Sequence, residues 1–300
     1  MRKLIVVQGP TASGKTDLAI ELALNYNTEI ISADSRQFYN ELSIGTAKPN
    51  EQELAKVKHH FIDSFSIQEE ISAAEFAKIA ELILNKLLDK NNYVVLVGGS
   101  GMFVDALTDG LDDIPVNRTI REELTATFNE FGLQPLRDEL AKLDPTFFEG
   151  VDQNNPMRII RALEAIRASG QKMSDFLLNK ERKRDFEVIR FSIDWPRDVL
   201  YDRINQRVDN MISQGLINEV KGLYEFRQLN ALNTVGYKEI FQFLDGEINQ
   251  NQAIELIKQH TRNYAKRQLT WLRRYSDLNY LNPISDQPIF DQAIKTIKKY

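Results

Sequence analysis

Eight residues near the N-terminus have the types and the spacing of a loop that binds phosphate. From Gly9 to Thr16 they read G-P-T-A-S-G-K-T, which fits the pattern G-x-x-x-x-G-K-[ST]. The glycines let the backbone curl, so that successive N–H groups converge on phosphate oxygens beside the positive end of a helix. Lys15 would place its charge on the terminal phosphate, and the Thr16 hydroxyl would be a ligand for Mg²⁺. The pattern predicts a site for a diphosphate or a triphosphate and leaves the choice open.

A carboxylate follows the next apolar stretch of the chain. Asp34 lies in the segment S-A-D-S-R-Q, directly after residues that predict a strand. Ligands of open α/β sheets bind beyond the carboxyl ends of the strands, so Asp34 could be a general base or a partner of Mg²⁺. A turn formed by the Asp-Ser pair explains this residue equally well.

A third apolar stretch, V-V-L-V at residues 94–97, runs into the loop G-G-S-G that starts at Gly98. An ATPase typically carries an acidic residue at such a strand end to hold Mg²⁺. The glycines in its place argue against an ordinary kinase or ATPase, although this segment alone could be a simple turn.

A basic segment lies near the C-terminus of a chain whose net charge is −5. Residues 258–275 contain six cations and no acid. Arg262, Lys266 and Arg273 fall on one stripe of a predicted helix, with Arg267 and Arg274 beside it. This pattern favours contact with RNA phosphates over a merely solvated surface.

Two smaller features favour structural roles. His59 and His60 are adjacent and have no third ligand at a useful spacing, which favours a hydrogen-bonded pair in a loop over a metal site. The basic run from Arg182 to Arg184 predicts a solvated hinge.

Composition excludes several classes of protein. The chain has 300 residues and no cysteine, so it has no disulfide, thiolate metal site or cysteine nucleophile. No apolar run approaches the roughly 20 residues of a membrane-spanning helix, and the N-terminal apolar stretch is too short for a signal peptide. We therefore expect no membrane partner and a cytoplasmic location.

Apolar strands alternate with amphipathic helices in the first part of the chain. Strands are predicted at residues 3–8, 29–33, 93–97 and 188–193, and helices at 15–26, 73–90, 197–214, 217–227, 237–244 and 251–274. This alternation predicts an α/β fold, a P-loop NTPase-like parallel sheet flanked by helices. Residues 115–184 show little strand signal and predict an inserted, mostly helical domain. The core would consist of residues 1–114 and 185–300.

Eight segments, in order over nearly the whole chain, carry a more specific signal. They read G-P-T-A-S-G-K-T (9–16), D-S-R-Q (34–37), I-G-T-A-K-P (44–49), H-H-F-I-D (59–63), G-G-S-G-M-F (98–103), R-I-I-R-A-L-E (158–164), V-G-Y-K-E (235–239) and T-R-N-Y-A-K-R-Q-L-T-W-L-R (261–273). Together they resemble the tRNA dimethylallyltransferases, or isopentenyl transferases. Many families share the phosphate loop, whereas D-S-R-Q, I-G-T-A-K-P and A-K-R-Q-x-T-W together are highly specific.

The resemblance implies a reaction. A dimethylallyl group would pass from dimethylallyl diphosphate to N6 of the adenosine just 3′ of the anticodon, in tRNAs that read codons starting with U. The phosphate loop would hold the pyrophosphate leaving group, with Mg²⁺ as cofactor, in place of a nucleotide. The partners would be the donor and the tRNA anticodon stem-loop, and we expect a monomer.

The resemblance also implies roles for residues that match the family's motifs. Asp34 would take the proton from N6, Ser100 would lie where base and donor meet, and Lys15 and Thr16 would complete the catalytic set. Thr16 would also be the metal ligand. The diphosphate would be bound by Gly9, Pro10, Thr11, Ala12, Ser13, Gly14, Lys15 and Thr16, and by one or both of Arg203 and Arg207.

A further set would contact tRNA, with the target base flipped out of its stack. It comprises Asp34, Ser35, Arg36, Gln37, Ser100, Arg121, Arg158, Arg161, Gly236, Tyr237, Lys238, Arg262, Lys266, Arg267, Gln268 and Arg273, and the inserted domain would bind tRNA. Phe103 and Met157 stand where relatives carry Tyr and Gln, so neither polar contact is carried over.

Two other functions stay open on the sequence alone. A P-loop small-molecule kinase that binds ATP would need an acid that holds Mg²⁺ near the nucleotide and a mobile basic lid. A non-catalytic RNA-binding protein would have a vestigial phosphate loop, and the intact Lys15, Thr16 and Asp34 argue against it.

Overall fold

A computed structural model describes residues 2–112, 114–177 and 184–300 of the chain. Its strands are β1 (Lys3–Gln8), β2 (Ile30–Ser32), β3 (His59–His60), β4 (Tyr93–Gly98), β5 (Glu187–Ile193) and β6 (Leu278–Leu281). They form one sheet in the order β3-β2-β4-β1-β5-β6, and every pairing is parallel. The sheet confirms the predicted fold class.

The chain divides into two compact units, and the larger contains the sheet. It comprises residues up to Asp109 together with Arg184–Tyr300. Its α-helices are α1 (Lys15–Asn25), α2 (Glu51–Lys56), α3 (Ala73–Leu88), α4 (Gly101–Thr108), α10 (Arg197–Ser213), α11 (Leu216–Gly222), α12 (Tyr237–Leu244), α13 (Gln250–Leu272) and α14 (Ile289–Ile297).

Helices cover both faces of this sheet because its central strands are apolar on both sides. Along β1, Ile5 and Val7 pack into one core cluster, whereas Leu4 and Val6 pack into the cluster on the other face. All four side chains are completely buried. Strands buried on both faces read as continuous apolar runs, which is why the sequence predicted them well.

The smaller unit, Gly110–Lys183, is helical in its described residues. It contains α5 (Arg118–Phe131), α6 (Gln134–Leu143), α7 (Pro145–Gly150), α8 (Pro156–Ser169) and α9 (Met173–Phe176). Leu124, Leu140 and Leu163 have no exposed surface and form part of its own core. It begins at Gly110, whereas the sequence placed the boundary near residue 115. Arg182 and Lys183, predicted to be a solvated hinge, lie outside the described residues.

The edges of the sheet differ from the sequence prediction. His59 and His60 form the edge strand β3 and pair with β2, so their assignment to a loop was wrong. A strand of two residues has no alternation to detect. The opposite edge, β6, was missed because this short strand is only partly buried. The helix predicted at 217–227 ends at Gly222, and a separate 3₁₀ turn follows it at Tyr224–Phe226.

The parallel sheet determines where the chemically interesting loops lie. β1, β2 and β4 are neighbours, and their carboxyl ends lead into the phosphate loop, the Asp34 segment and the Gly98–Ser100 turn.

Across the described residues, no helix is long and apolar enough to cross a membrane.

Candidate active site

The phosphate loop connects β1 to α1 and is held by side chains from distant elements. Ala12 and Gly14 have φ values of 64° and 88°, the left-handed conformation that lets the loop curl. Arg203 Nε donates to the Ala12 carbonyl at 2.8 Å, and Trp195 Nε1 donates to that of Ser13 at 2.9 Å. These two hydrogen bonds hold the loop in its curled conformation.

Not every backbone donor of the loop faces a ligand. The Thr11 N–H donates to Gln268 Oε1 at 2.9 Å, and the Ser13 N–H donates to the Pro10 carbonyl at 3.3 Å. Within the described part of the chain, the N–H groups of Ala12 and Gly14 meet no acceptor. Two of the four N–H groups from Thr11 to Gly14 are thus satisfied within the protein, and phosphate binding by this stretch stays a prediction.

Lys15 lies among charged groups and is withdrawn from bulk water. Its Nζ donates to the Pro10 carbonyl at 3.4 Å. Burial lowers the pKa of the Lys15 ammonium to about 8, a shift that the Asp34 carboxylate opposes and the Arg207 charge reinforces. Lys15, Thr16, Asp34 and Arg207 line the same pocket. An anion in this pocket would restore the charged lysine.

Asp34 takes part in a turn and also faces the pocket. Its Oδ1 accepts the Arg36 N–H at 3.2 Å, which is the turn that the sequence suggested. The Ser35 N–H donates to Ser100 Oγ at 3.1 Å, and the two hydroxyl oxygens are 3.2 Å apart. The ends of β2 and β4 are thus joined next to Asp34.

The two residues after Ser35 hold neighbouring loops. Arg36 Nη1 donates to the carbonyls of Asn230 and Ala231 at 2.9 and 3.1 Å. Gln37 Nε2 donates to the carbonyls of Thr46 and Ala47. Both side chains line the pocket, and contact between them and a flipped adenine stays a prediction.

Two arginines of α10 point toward the phosphate loop. Arg203 and Arg207 are four residues apart, one helical turn, and both line a polar pocket with Gly14, Lys15 and Thr16. Arg203 stacks on Trp195, with 4.6 Å between the guanidinium carbon and the ring centre. Burial lowers the pKa of Arg207, and the carboxylate of Asp34 opposes that shift. This polar pocket suits a multiply charged anion.

One wall of the first pocket comes from α13 and was largely missed by the sequence analysis. Ile257, Thr261, Tyr264 and Gln268 follow one another at helical spacing and all line the pocket. Burial and the Asp34 carboxylate raise the pKa of Tyr264 to about 12, so its phenol stays neutral. The spacing of these four residues could have predicted that they share one face of the helix. The basic residues that lie between them in the sequence gave the stronger pattern, which predicted RNA contact.

The pocket also has an apolar side, formed by Val208, Met211, Val235 and Ile257. Val208 and Ile257 are almost fully buried. A ligand that combines a charged group with a small hydrocarbon group fits this division.

Two residues that were predicted to contact tRNA make hydrogen bonds inside the protein. Gln268 is buried and bridges two loops, accepting from Thr11 N and donating from Nε2 to the Gly99 carbonyl at 2.9 Å. Tyr237 has no exposed surface and donates to Glu219 Oε1 at 2.6 Å. Both side chains therefore make hydrogen bonds within the protein, and their contact with tRNA stays a prediction. The adjacent Gly236 is buried, whereas Lys238 is exposed.

The basic stripe of α13 is less uniform than predicted. Lys266, Arg267 and Arg273 are exposed, but Arg262 is half-buried and donates to Asn205 Oδ1 at 2.6 Å. Arg273 caps the helix from just beyond its last residue. Arg262 thus also ties α13 to α10.

The smaller unit uses two of its predicted tRNA contacts internally. The carboxylate of Glu164 is completely buried and accepts from Arg121 at 2.9 Å and Arg161 at 3.1 Å. Arg161 also donates to the carbonyls of Ile114 and Pro115. Arg158 is exposed.

No cluster of three or more His, Cys, Asp or Glu side chains could bind a metal ion within the described ranges. His60 bonds to Glu29 and His59 to the Val57 carbonyl. Oxygen donors suited to Mg²⁺ are instead found at Thr16 and Asp34, which line two of the pockets together.

Comparison with known proteins identifies the family. Residues 37–275 match the family described as IPP transferase. The chain is 46% identical to the tRNA dimethylallyltransferase of Christiangramia forsetii, covering 99% of this chain and 96% of that protein. It is 42% identical to tRNA dimethylallyltransferase 1 of Bacteroides thetaiotaomicron, over 97% and 95% of the two chains.

Solved structures agree with these relatives. The tRNA isopentenylpyrophosphate transferase of Bacillus halodurans is 38% identical and superposes with a TM-score of 0.71, over 100% of this chain and 95% of that one. A eukaryotic dimethylallyltransferase described as acting on tRNA has a TM-score of 0.84 at 24% identity, over 100% and 80% of the chains, which shows the shared fold. The chain belongs to the IPP transferase family, whose named relatives are tRNA dimethylallyltransferases.

Proposed function

We propose that this chain transfers a dimethylallyl group from dimethylallyl diphosphate to N6 of the adenosine 3′ of the anticodon, in tRNAs that read codons starting with U. The names of its relatives support tRNA prenylation. The observation that carries the proposal is the pocket in which Lys15, Asp34 and Arg207 face an apolar wall. Such a pocket fits a diphosphate joined to a short hydrocarbon.

The bond changes balance without an oxidant or reductant. The donor C1–O bond breaks and the diphosphate leaves with the electron pair. A bond forms between C1 and the adenine N6, and Asp34 takes the proton that N6 loses. Lys15, Arg203, Arg207 and the free N–H groups of the loop would hold the leaving group, whose charge grows in the transition state.

Mg²⁺ is part of the proposal. Thr16 supplies one protein oxygen, which fits an ion that keeps its waters and binds mainly to substrate phosphates. When bound, the ion would neutralise charge on the diphosphate. The Thr16 hydroxyl would hold it from the protein side.

The kinase alternative is not favoured. β4 ends in Gly98, which leaves no acid at that strand end to hold Mg²⁺ for ATP. The wall of Val208, Met211 and Ile257 suits a prenyl group better than a ribose.

We place the reaction in the cytoplasm with its tRNA substrate, and we expect a monomer, because pocket and basic surface lie on one chain. The exposed Arg158 of the smaller unit would add contacts to tRNA.

Product analysis tests this proposal against the kinase. The protein would be incubated with Mg²⁺ and tRNA that lacks the modification, with either dimethylallyl diphosphate or ATP. We expect pyrophosphate release that requires both tRNA and the prenyl donor, and no ADP. Release of ADP, without tRNA-dependent use of the prenyl donor, would favour the kinase instead.

The lowered pKa of Lys15 predicts a pH dependence. In the enzyme without donor, this lysine loses its charge as the pH rises through about 8. At saturating tRNA, kcat/KM for the donor should therefore fall by up to about tenfold per unit above that pH, with one proton lost. Lys15→Arg keeps its charge and should show a flat profile over this range, at lower overall efficiency. Equal declines in both enzymes would exclude Lys15 as the titrating group.

The exposed basic residues of α13 predict salt-dependent tRNA binding. Replacing Lys266, Arg267 and Arg273 by Ala should weaken binding and reduce the slope of log K against log salt by about 2, at roughly 0.7 per lost phosphate contact. A matched control replaces the exposed Lys295, Lys298 and Lys299 near the C-terminus, which removes the same charge. If both triple variants have the same slope, α13 does not contact the RNA backbone.

A further inference from the structure

One loop of the pocket, residues 43–47, is held by a single carboxylate. The N–H groups of Ser43 and Ile44 donate to Glu219 Oε2 at 3.1 and 2.7 Å, and that of Gly45 donates to Oε1 at 3.0 Å. The Tyr237 hydroxyl donates to the same Oε1 at 2.6 Å. Three successive backbone donors and a phenol thus converge on Glu219, which lies on α11, outside the pocket lining.

These hydrogen bonds favour one arrangement of the loop. Consecutive N–H groups that converge on an anion form a strong, charge-assisted set. Burial and the neighbouring Glu219 raise the pKa of Tyr237 well above its ordinary value, so the phenol remains a donor. The loop packs directly on the tyrosine ring, because a Cβ on Gly45 would lie 2.5 Å from a ring carbon. The loop therefore has little freedom to shift.

The opposite side of the loop faces the active site. The Thr46 carbonyl accepts from Arg207 Nη2 at 3.4 Å and from Gln37 Nε2 at 3.1 Å. Gly45, Thr46 and Ala47 line the pocket themselves. A displacement of the loop would thus move both the arginine that faces the diphosphate and part of the pocket wall.

We propose that Glu219 is a positioning residue for donor binding: through residues 43–47 it orients Arg207 against the diphosphate. This inference rests on the proposed function. Glu219 itself does not touch the donor. Nothing in its sequence context, L-I-N-E-V-K-G, suggests a role at the active site.

Steady-state kinetics of Glu219→Gln test the proposal. The amide cannot accept all the N–H groups that the carboxylate accepts, so the loop should loosen. We expect kcat/KM for dimethylallyl diphosphate to fall about 10- to 100-fold, as for misplacement by a remote residue, through a raised donor KM as well as a lowered kcat, with an unchanged KM for tRNA. Tyr237→Phe removes one of the donors and should raise the donor KM only a few-fold. Glu225→Gln, an exposed acid in the next turn, is the matched control.

A double-mutant cycle separates positioning from general destabilisation. If Glu219 acts through Arg207, adding Glu219→Gln to Arg207→Gln should raise the donor KM far less than it does in the wild type. If the two substitutions raise the donor KM by independent factors that multiply in the double variant, the proposal is overturned. An unchanged donor KM in Glu219→Gln would also overturn it. If Glu219→Gln fails to fold, Tyr237→Phe replaces it in the cycle. The rise in donor KM that Tyr237→Phe causes is then compared in the wild type and in Arg207→Gln. A wild-type enzyme without transfer activity would instead overturn the proposed function, and this inference with it.

Discussion

Replacing Asp34 by Asn is expected to lower kcat for prenyl transfer by about 10²- to 10⁴-fold, the usual contribution of a positioned general base. Asn keeps a side-chain oxygen that can accept the Arg36 N–H, so the local turn should survive. What it loses is the ability to take the proton from N6. Single-turnover transfer with tRNA and donor both saturating would measure this loss apart from binding.

Binding measurements on the same variant complete this test. The affinity for tRNA should stay within a few-fold of the wild-type value, since the Asp34 side chain is one small part of the RNA contact. Asp198→Asn, an exposed acid at the start of α10, controls for the loss of one negative charge. Near-normal turnover of Asp34→Asn would remove the general-base assignment.

Replacing Lys15 by Met is expected to have the second-largest effect. The ammonium faces the pocket from the start of α1, next to the N–H groups that meet no acceptor within the described residues. Its charge should act more strongly on the leaving diphosphate than on the bound donor, because charge accumulates as the C1–O bond breaks. We expect kcat to fall by about 10²- to 10³-fold, as for loss of one preorganised group that stabilises a developing anion.

The donor KM should also rise in this variant, whereas the affinity for tRNA should be unaffected. Lys56→Met, at the exposed end of α2, is a suitable control because it removes a surface charge from the same unit. A Lys15→Met enzyme that loses donor affinity but retains kcat would show that the lysine serves binding alone.

Part of this site was readable in the sequence because its signals are local. The phosphate loop is defined by spacing within eight residues, and Asp34 follows an apolar strand directly. Parallel strands then bring such loops to one edge of the sheet, whatever the details of packing. This is why the sequence predicts that Lys15 and Asp34 lie at one edge of the sheet, whereas the role of Ser100 comes from the family resemblance.

What the sequence could not predict has the opposite origin, in contacts between distant segments. Tyr237 lies in a distinctive motif, but only the fold shows that its ring supports residues 43–47 from the interior. Likewise, the amide of Gln268 bonds Thr11 and Gly99, which are far away in sequence. A motif marks such residues as special and cannot tell a supporting contact from a contact with substrate.

The most direct test of prenyl transfer is to locate the transferred group. The protein would be incubated with Mg²⁺, labelled dimethylallyl diphosphate and tRNA lacking the modification, and the tRNA would then be digested to nucleosides. We expect label on N6 of one adenosine, 3′ of the anticodon, that accumulates at least about 10²-fold more slowly with Asp34→Asn. Unlabelled tRNA, or label spread over many positions or on another base, would contradict it.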